Sequence, residues 1–163
     1  MFRHASGLSG LVFVALLAGC ASVKYSPLVT EQKSIPGVLV EVNYQDNGIY
    51  QVQAYNDTTN NISLQWQSSF YRNTGGDAVR LIHIQNINDF PEKVPLVQAP
   101  SIVTRAASLT TWFVGESWID YARRGLTPRP KDSESKAVIY LAFNIKGKKV
   151  YWKGEVSFVN END

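Results

Sequence analysis

Few residues of this chain are of a type that does chemistry. It holds two histidines, His4 and His83, and a single cysteine, Cys20. A metal site built on imidazole would need carboxylates for nearly every other ligand, and without a second cysteine there is neither an internal disulfide nor a thiolate cluster. His83 lies in a strand-like run and reads as an ordinary surface or cross-strand residue. A Ser-His-Asp arrangement is compatible with the spacing, because such residues converge only in the fold. No Gly-x-Ser-x-Gly elbow accompanies it, which counts against a hydrolase.

Glu116 and Asp120 stand four apart and would share a helix face, as a pair dividing acid and base work would. Asp120 also stands four before Arg124, so an ordinary surface ion pair explains the spacing better. Gly75-Gly76 and Lys146-Gly147-Lys148-Lys149 have turn composition, and neither has the Gly-Lys-Ser/Thr ending that cradles phosphate. Trp112, Phe113, Trp118 and Tyr121, followed by Arg123 and Arg124, are of the types enriched at binding hot spots. Two placements are open for them: a surface for a partner or a stacked cell-wall sugar, or packing in the core beneath a loop.

Cys20 has the most telling context. Arg3 puts a positive charge near the start, residues 8–17 are apolar apart from Ser9 and Gly10, and the run ends in Leu17-Ala18-Gly19-Cys20. The apolar run is half the roughly 20 residues a spanning helix needs, and its layout is that of a secretory signal. The four-residue ending resembles the lipobox of bacterial lipoproteins. That resemblance implies cleavage after Gly19, with Leu17, Ala18 and Gly19 read by the signal peptidase. It also implies diacylglycerol on the Cys20 thiol and an acyl chain on the new amino group. Two or more chains hold a protein firmly to a membrane, whereas one holds it marginally. The next residue is Ala21. In Gram-negative members of the class an Asp there commonly marks inner-membrane retention, so the resemblance implies an outer-membrane lipoprotein facing the periplasm.

Removing residues 1–19 leaves roughly 140, enough for one domain with its own core. The net charge of the whole chain is +2, too little to draw nucleic acid or an anionic surface. No cofactor is expected beyond the lipid at Cys20. Residues 20–36 carry Ser22, Ser26, Pro27, Ser34 and Pro36 with scattered apolar positions and read as a flexible tether. That makes 37–163 the domain.

From Val38 onward the period is two. Val38, Val40, Val42 and Tyr44 alternate with Leu39, Glu41 and Asn43, Asp46-Asn47-Gly48 supplies hairpin-turn types, and 49–55 returns. Ile62, Leu64, Trp66, Ser68 and Phe70 alternate over one long strand, and Trp66 and Trp152 fall on inward faces. In 78–84 the apolar phase switches between Leu81 and Ile82, as in a bulge or a strand buried on both faces. Prolines at 91, 95 and 100 make 87–100 a loop or edge crossing, 101–114 is extended, and 116–124 has the boundary signals of a short helix. Residues 126–136 read as an exposed loop. Ile139, Leu141, Phe143 and Ile145, then Gly147, then Val150, Trp152, Gly154, Val156 and Phe158 spell a β-hairpin.

The expected fold is therefore all-β: an antiparallel sandwich of about seven or eight strands, broadly immunoglobulin-like, with at most one short helix. The expected role is a non-enzymatic binding or assembly module, held to the membrane by its lipid and serving another envelope protein. A module for a soluble ligand, a cell-wall glycan or an inhibited enzyme is the alternative, and a hydrolase the remotest. An exposed sheet edge taking a partner strand is a further route open to any such fold.

Overall fold

The computed structural model describes residues 25–45, 48–73, 75–86, 95–116 and 136–160. Its strands are β1 (Tyr25–Lys33), β2 (Val38–Tyr44), β3 (Tyr50–Asn56), β4 (Ile62–Leu64), β5 (Phe70–Arg72), β6 (Ala78–Ile84), β7 (Ser101–Val103), β8 (Ser108–Gly115), β9 (Lys136–Ile145) and β10 (Lys148–Asn160). Every pairing among them is antiparallel. They form one ten-stranded sheet in the order β1-β10-β9-β5-β6-β8-β3-β2, with β4 pairing β9 and β7 off this path.

The fold is all-β, as the period of two predicts, and it is closer to a barrel than to a sandwich. The reason lies in the two ends of the path. β1 and β2 are outermost in the sheet yet consecutive in the chain, and a tight corner joins them: Ile35 bridges Val38, whose N–H donates to the Ile35 carbonyl at 3.0 Å. Gly37 takes φ +74° there, which a type II turn with Pro36 before it requires. The sheet thus comes back almost onto itself.

Two local expectations change. The long strand from Ile62 to Phe70 is interrupted by a 3-10 turn at Trp66–Ser68. Both flanking strands lie along β9, with Leu64 opposite Phe143 and Phe70 opposite Tyr140. Between them the ladder is carried by Gln65 N–H to the Ala142 carbonyl (2.7 Å) and Ala142 N–H to Ser69 Oγ (3.0 Å). The detour places the Trp66 ring fully inside. Second, part of the expected tether is structure, because Tyr25–Lys33 pairs with β10 along its length and Val29 packs on the core. The sheet thus includes Tyr25–Lys33, ahead of the expected domain start at residue 37. An edge strand needs only one partner and tolerates proline and polar residues, so its composition resembles a linker's.

The core gathers Val38, Val42, Val52, Ala54, Leu81, Ile139, Leu141, Phe143, Trp152 and Val156 around Trp66. The phase switch in β6 is a strand buried on both faces: Leu81 joins this core, while Ile82 and Ile84 join Val114 and Ile49 in a second buried cluster. The C-terminal hairpin is as expected. Lys146 and Gly147 both have positive φ, 52° and 77°, as a two-residue type I′ turn demands. The helix expected over 116–124 lies, beyond Glu116, outside the described residues.

Candidate functional site

His83 is the first candidate from sequence, and its surroundings hold it fast. Its ring stacks on Trp66 with centroids 4.6 Å apart and planes 8° from parallel. Nε2 lies 2.6 Å from Thr111 Oγ1, and the Thr111 hydroxyl donates to the Ile84 carbonyl at 3.4 Å. That chain puts the imidazole proton on Nε2. Its backbone N–H donates to Gln98 Oε1 (2.6 Å), while Gln98 Nε2 donates to the Leu81 carbonyl (2.7 Å). Burial pushes the His83 pKa down, so the ring is neutral at neutral pH. The Thr111 hydroxyl that meets it is buried, 4% exposed. His83, Thr111 and Gln98 therefore form a hydrogen-bonded network that fixes the ring against Trp66.

Trp112 and Phe113 sit on β8 and part company, because neighbouring strand residues face opposite ways. Phe113 is buried in the main core and stacks on Tyr50 with centroids 5.3 Å apart, so it is no partner surface. Burial first, then Tyr71 and Tyr44, push the Tyr50 phenol well above the usual tyrosine range. Trp112 is half-buried against the Ile82 cluster. Trp118, Tyr121, Arg123, Arg124 and Asp120 lie outside the described residues, as do Leu17, Ala18, Gly19 and Cys20. Glu116 pairs with Arg80 through both carboxylate oxygens at 3.2 and 3.3 Å, a half-exposed ion pair of modest worth. In the basic turn, Lys149 donates to Ser68 Oγ. Among the described residues no group of three His, Cys, Asp or Glu is placed to hold a metal ion.

The feature that sequence reasoning did not localise is the edge at the end of the sheet. In the β2–β3 hairpin, Gln45 N–H donates to the Ile49 carbonyl. Backbone groups alternate sides along a strand, so Asn43, Glu41 and Leu39 also turn toward β3. Val38, Val40 and Val42 turn the other way, and the bond from Val38 to Ile35 agrees. Beyond that corner no described strand pairs with this side of β2. Beside it lies an open groove of about 620 Å³. Leu39 and Glu41 of β2, Gln53 and Tyr55 of β3, Thr110 of β8 and Glu31 of β1 are among the residues that line it.

Leu39 is 69% exposed at this groove. Glu41 accepts from Asn43 Nδ2 at 2.8 Å, and Glu31 accepts from Trp152 Nε1 at 2.7 Å. The ion pairs among the described residues, Arg80–Glu116 and Lys136–Glu155, leave both carboxylates without a cation. The available signal in the sequence was Val-Leu-Val-Glu-Val: a regular strand with no lysine or proline to blunt it.

The chain matches no protein-family model and no curated protein. Among solved structures it is similar to one described as "Crystal structure of protein from Archaeoglobus fulgidus". Identity is 12%, the match covers 78% of this chain and 97% of that one, and the TM-score is 0.31. A likeness of that degree carries no argument about this chain.

Proposed function

We propose that this chain is an outer-membrane lipoprotein, anchored through Cys20 and facing the periplasm, whose barrel is a non-enzymatic binding or assembly module for another envelope protein. The observation that carries the binding role is the regular edge of β2, which pairs with no described strand and has an open groove beside it. The lipobox resemblance of Leu17-Ala18-Gly19-Cys20 carries the anchor. The start of β1 at Tyr25 sharpens it, since the four residues between Cys20 and that strand span at most about 15 Å. A lipid on Cys20 then keeps the barrel beside the bilayer, where a partner held in the same membrane is concentrated.

The test uses the full chain in a Gram-negative host, with a photo-crosslinking residue at Leu39. The expected result is an outer-membrane protein that incorporates labelled palmitate and gives one adduct, identified by mass spectrometry as an envelope protein. Cys20→Ser should abolish the label, block maturation and remove the adduct. Unchanged membrane attachment of Cys20→Ser would overturn the anchor. Absence of an adduct at Leu39, with adducts elsewhere on the barrel, would overturn the assignment of the binding face.

A further inference from the structure

The edge of β2 has enough chemistry around it to specify what binds there, and this inference rests on the binding-module reading above. The backbone N–H and C=O groups of Val40 and Val42 point away from β3 and meet no described strand. An added strand would pair with these groups at no cost to the existing ladder. The two faces of such a strand would meet different surroundings. On the inner face stand Val40, half-buried against the core, and Val42. On the outer face stand exposed Leu39 and Glu41, while Glu31, on the Trp152 side of β1, also lines the groove.

We propose that β2 accepts an extended antiparallel strand from a partner protein, with apolar residues on its inner face and a lysine or arginine opposite Glu41 on its outer face. Charge complementarity favours this occupant over a second copy. In a symmetric β2–β2 pairing centred on Glu41, the two carboxylates would stand directly opposite each other, an arrangement that destabilises paired strands. A basic side chain at that position instead faces Glu41 directly and has Glu31 within the same groove. The contrast with β1 points the same way. That edge carries Pro27 and a register shift between Glu31 and Lys33, devices that discourage strand addition, whereas β2 has neither.

The experiment uses the full lipidated chain in detergent micelles and three labelled peptides of alternating valine and threonine. One carries a central lysine, one a glutamate at that place, and one is the lysine peptide N-methylated along its pairing edge. Fluorescence anisotropy reads affinity, and amide exchange reads the position. The lysine peptide should bind, N-methylation should abolish binding, and the Val40 and Val42 amides should gain protection. Glutamate should weaken binding by about three- to tenfold, the size of a cross-strand charge reversal, and Glu41→Lys should invert the preference. Binding indifferent to charge, protection away from β2, or self-association that occupies the edge in sedimentation would each overturn the proposal. Failure of all three peptides alongside an intact Leu39 adduct in cells would sink the strand and spare the binding module. Loss of both would sink the two together.

Discussion

β1 and β2 are the two ends of one sheet and neighbours in the chain, yet they end it differently. β1 is held from behind. The Trp152 indole on β10 lies over Gly154, where a Cβ would run into the ring, and its N–H reaches Glu31 at 2.7 Å. Val29 closes over the same glycine. The strand's own proline and register shift then spoil its outer side as a template. β2 is held at its start. Opposite Val38 stands Asn56, fully buried, whose Nδ2 donates to the carbonyls of Asn60 and Val103 and whose Oδ1 accepts from Thr58. Gly37 packs on Thr58, and the Asp57 N–H donates to the Gly37 carbonyl. Past that corner the edge runs straight and pairs with no described strand. Thus β1 is locked and blunted, while β2 is pinned at one end and, among the described residues, unpaired along its outer side.

Substitutions at the two supports should separate these behaviours. Trp152→Ala removes the large side chain beneath β1 and the donor to Glu31. The expected cost is about 3–5 kcal/mol in a denaturant titration, with faster amide exchange in β1 than in β2. Equal acceleration on both edges would mean that Trp152 supports the whole barrel and not β1 in particular. Asn56→Ala leaves carbonyls and donors of the corner unpaired and should cost about 1–3 kcal/mol, with the exchange pattern reversed. Gly37→Ala forces a Cβ into the left-handed region, 3.0 Å from the Thr58 methyl. It should cost about 1–2 kcal/mol and loosen only the start of β2, as exchange at Val38 would report.

A titration of stability supplies the smallest test, and its source lies on the β6–β8 wall away from either support. Burial holds His83 below the value of 6.5 expected for the unfolded chain. The unfolded state therefore takes up a proton more readily, and stability must fall as pH drops below about 6.5. Denaturation midpoints across that range should show the decline, His83→Gln should flatten it, and relative exchange of β1 and β2 should stay the same at each pH. A decline that persists in His83→Gln would place the responsible proton elsewhere.

Much of this fold was legible because it is local. The period of two in 38–44 and in 139–158, together with the turn residues between paired strands, marked two hairpins from the residues alone. Trp66 and Trp152 were legible as core for the same reason, since alternation sets a face. The candidate site was less so. Composition left Phe113 and Trp112 open to a partner surface or to the core, and because adjacent strand residues face apart the core took Phe113. His83 reads from sequence as a surface or cross-strand residue, and on β6 it stays partly exposed while Trp66 stacks on it and Thr111 bonds to it from elsewhere in the chain. β1 looked like a tether because proline and polar residues serve a linker and an edge strand equally well.

The sequence by itself determined the all-β character, the hairpins and the lipobox-like ending at Cys20, all of which depend on spacings of a few residues. Tertiary structure alone decided that the sheet nearly closes, that β1 belongs to it and that the outer side of β2 meets no described strand. An edge is defined by which strand fails to arrive, and that depends on contacts between distant residues. Trp152 and Glu31, 121 positions apart, help hold β1 on β10.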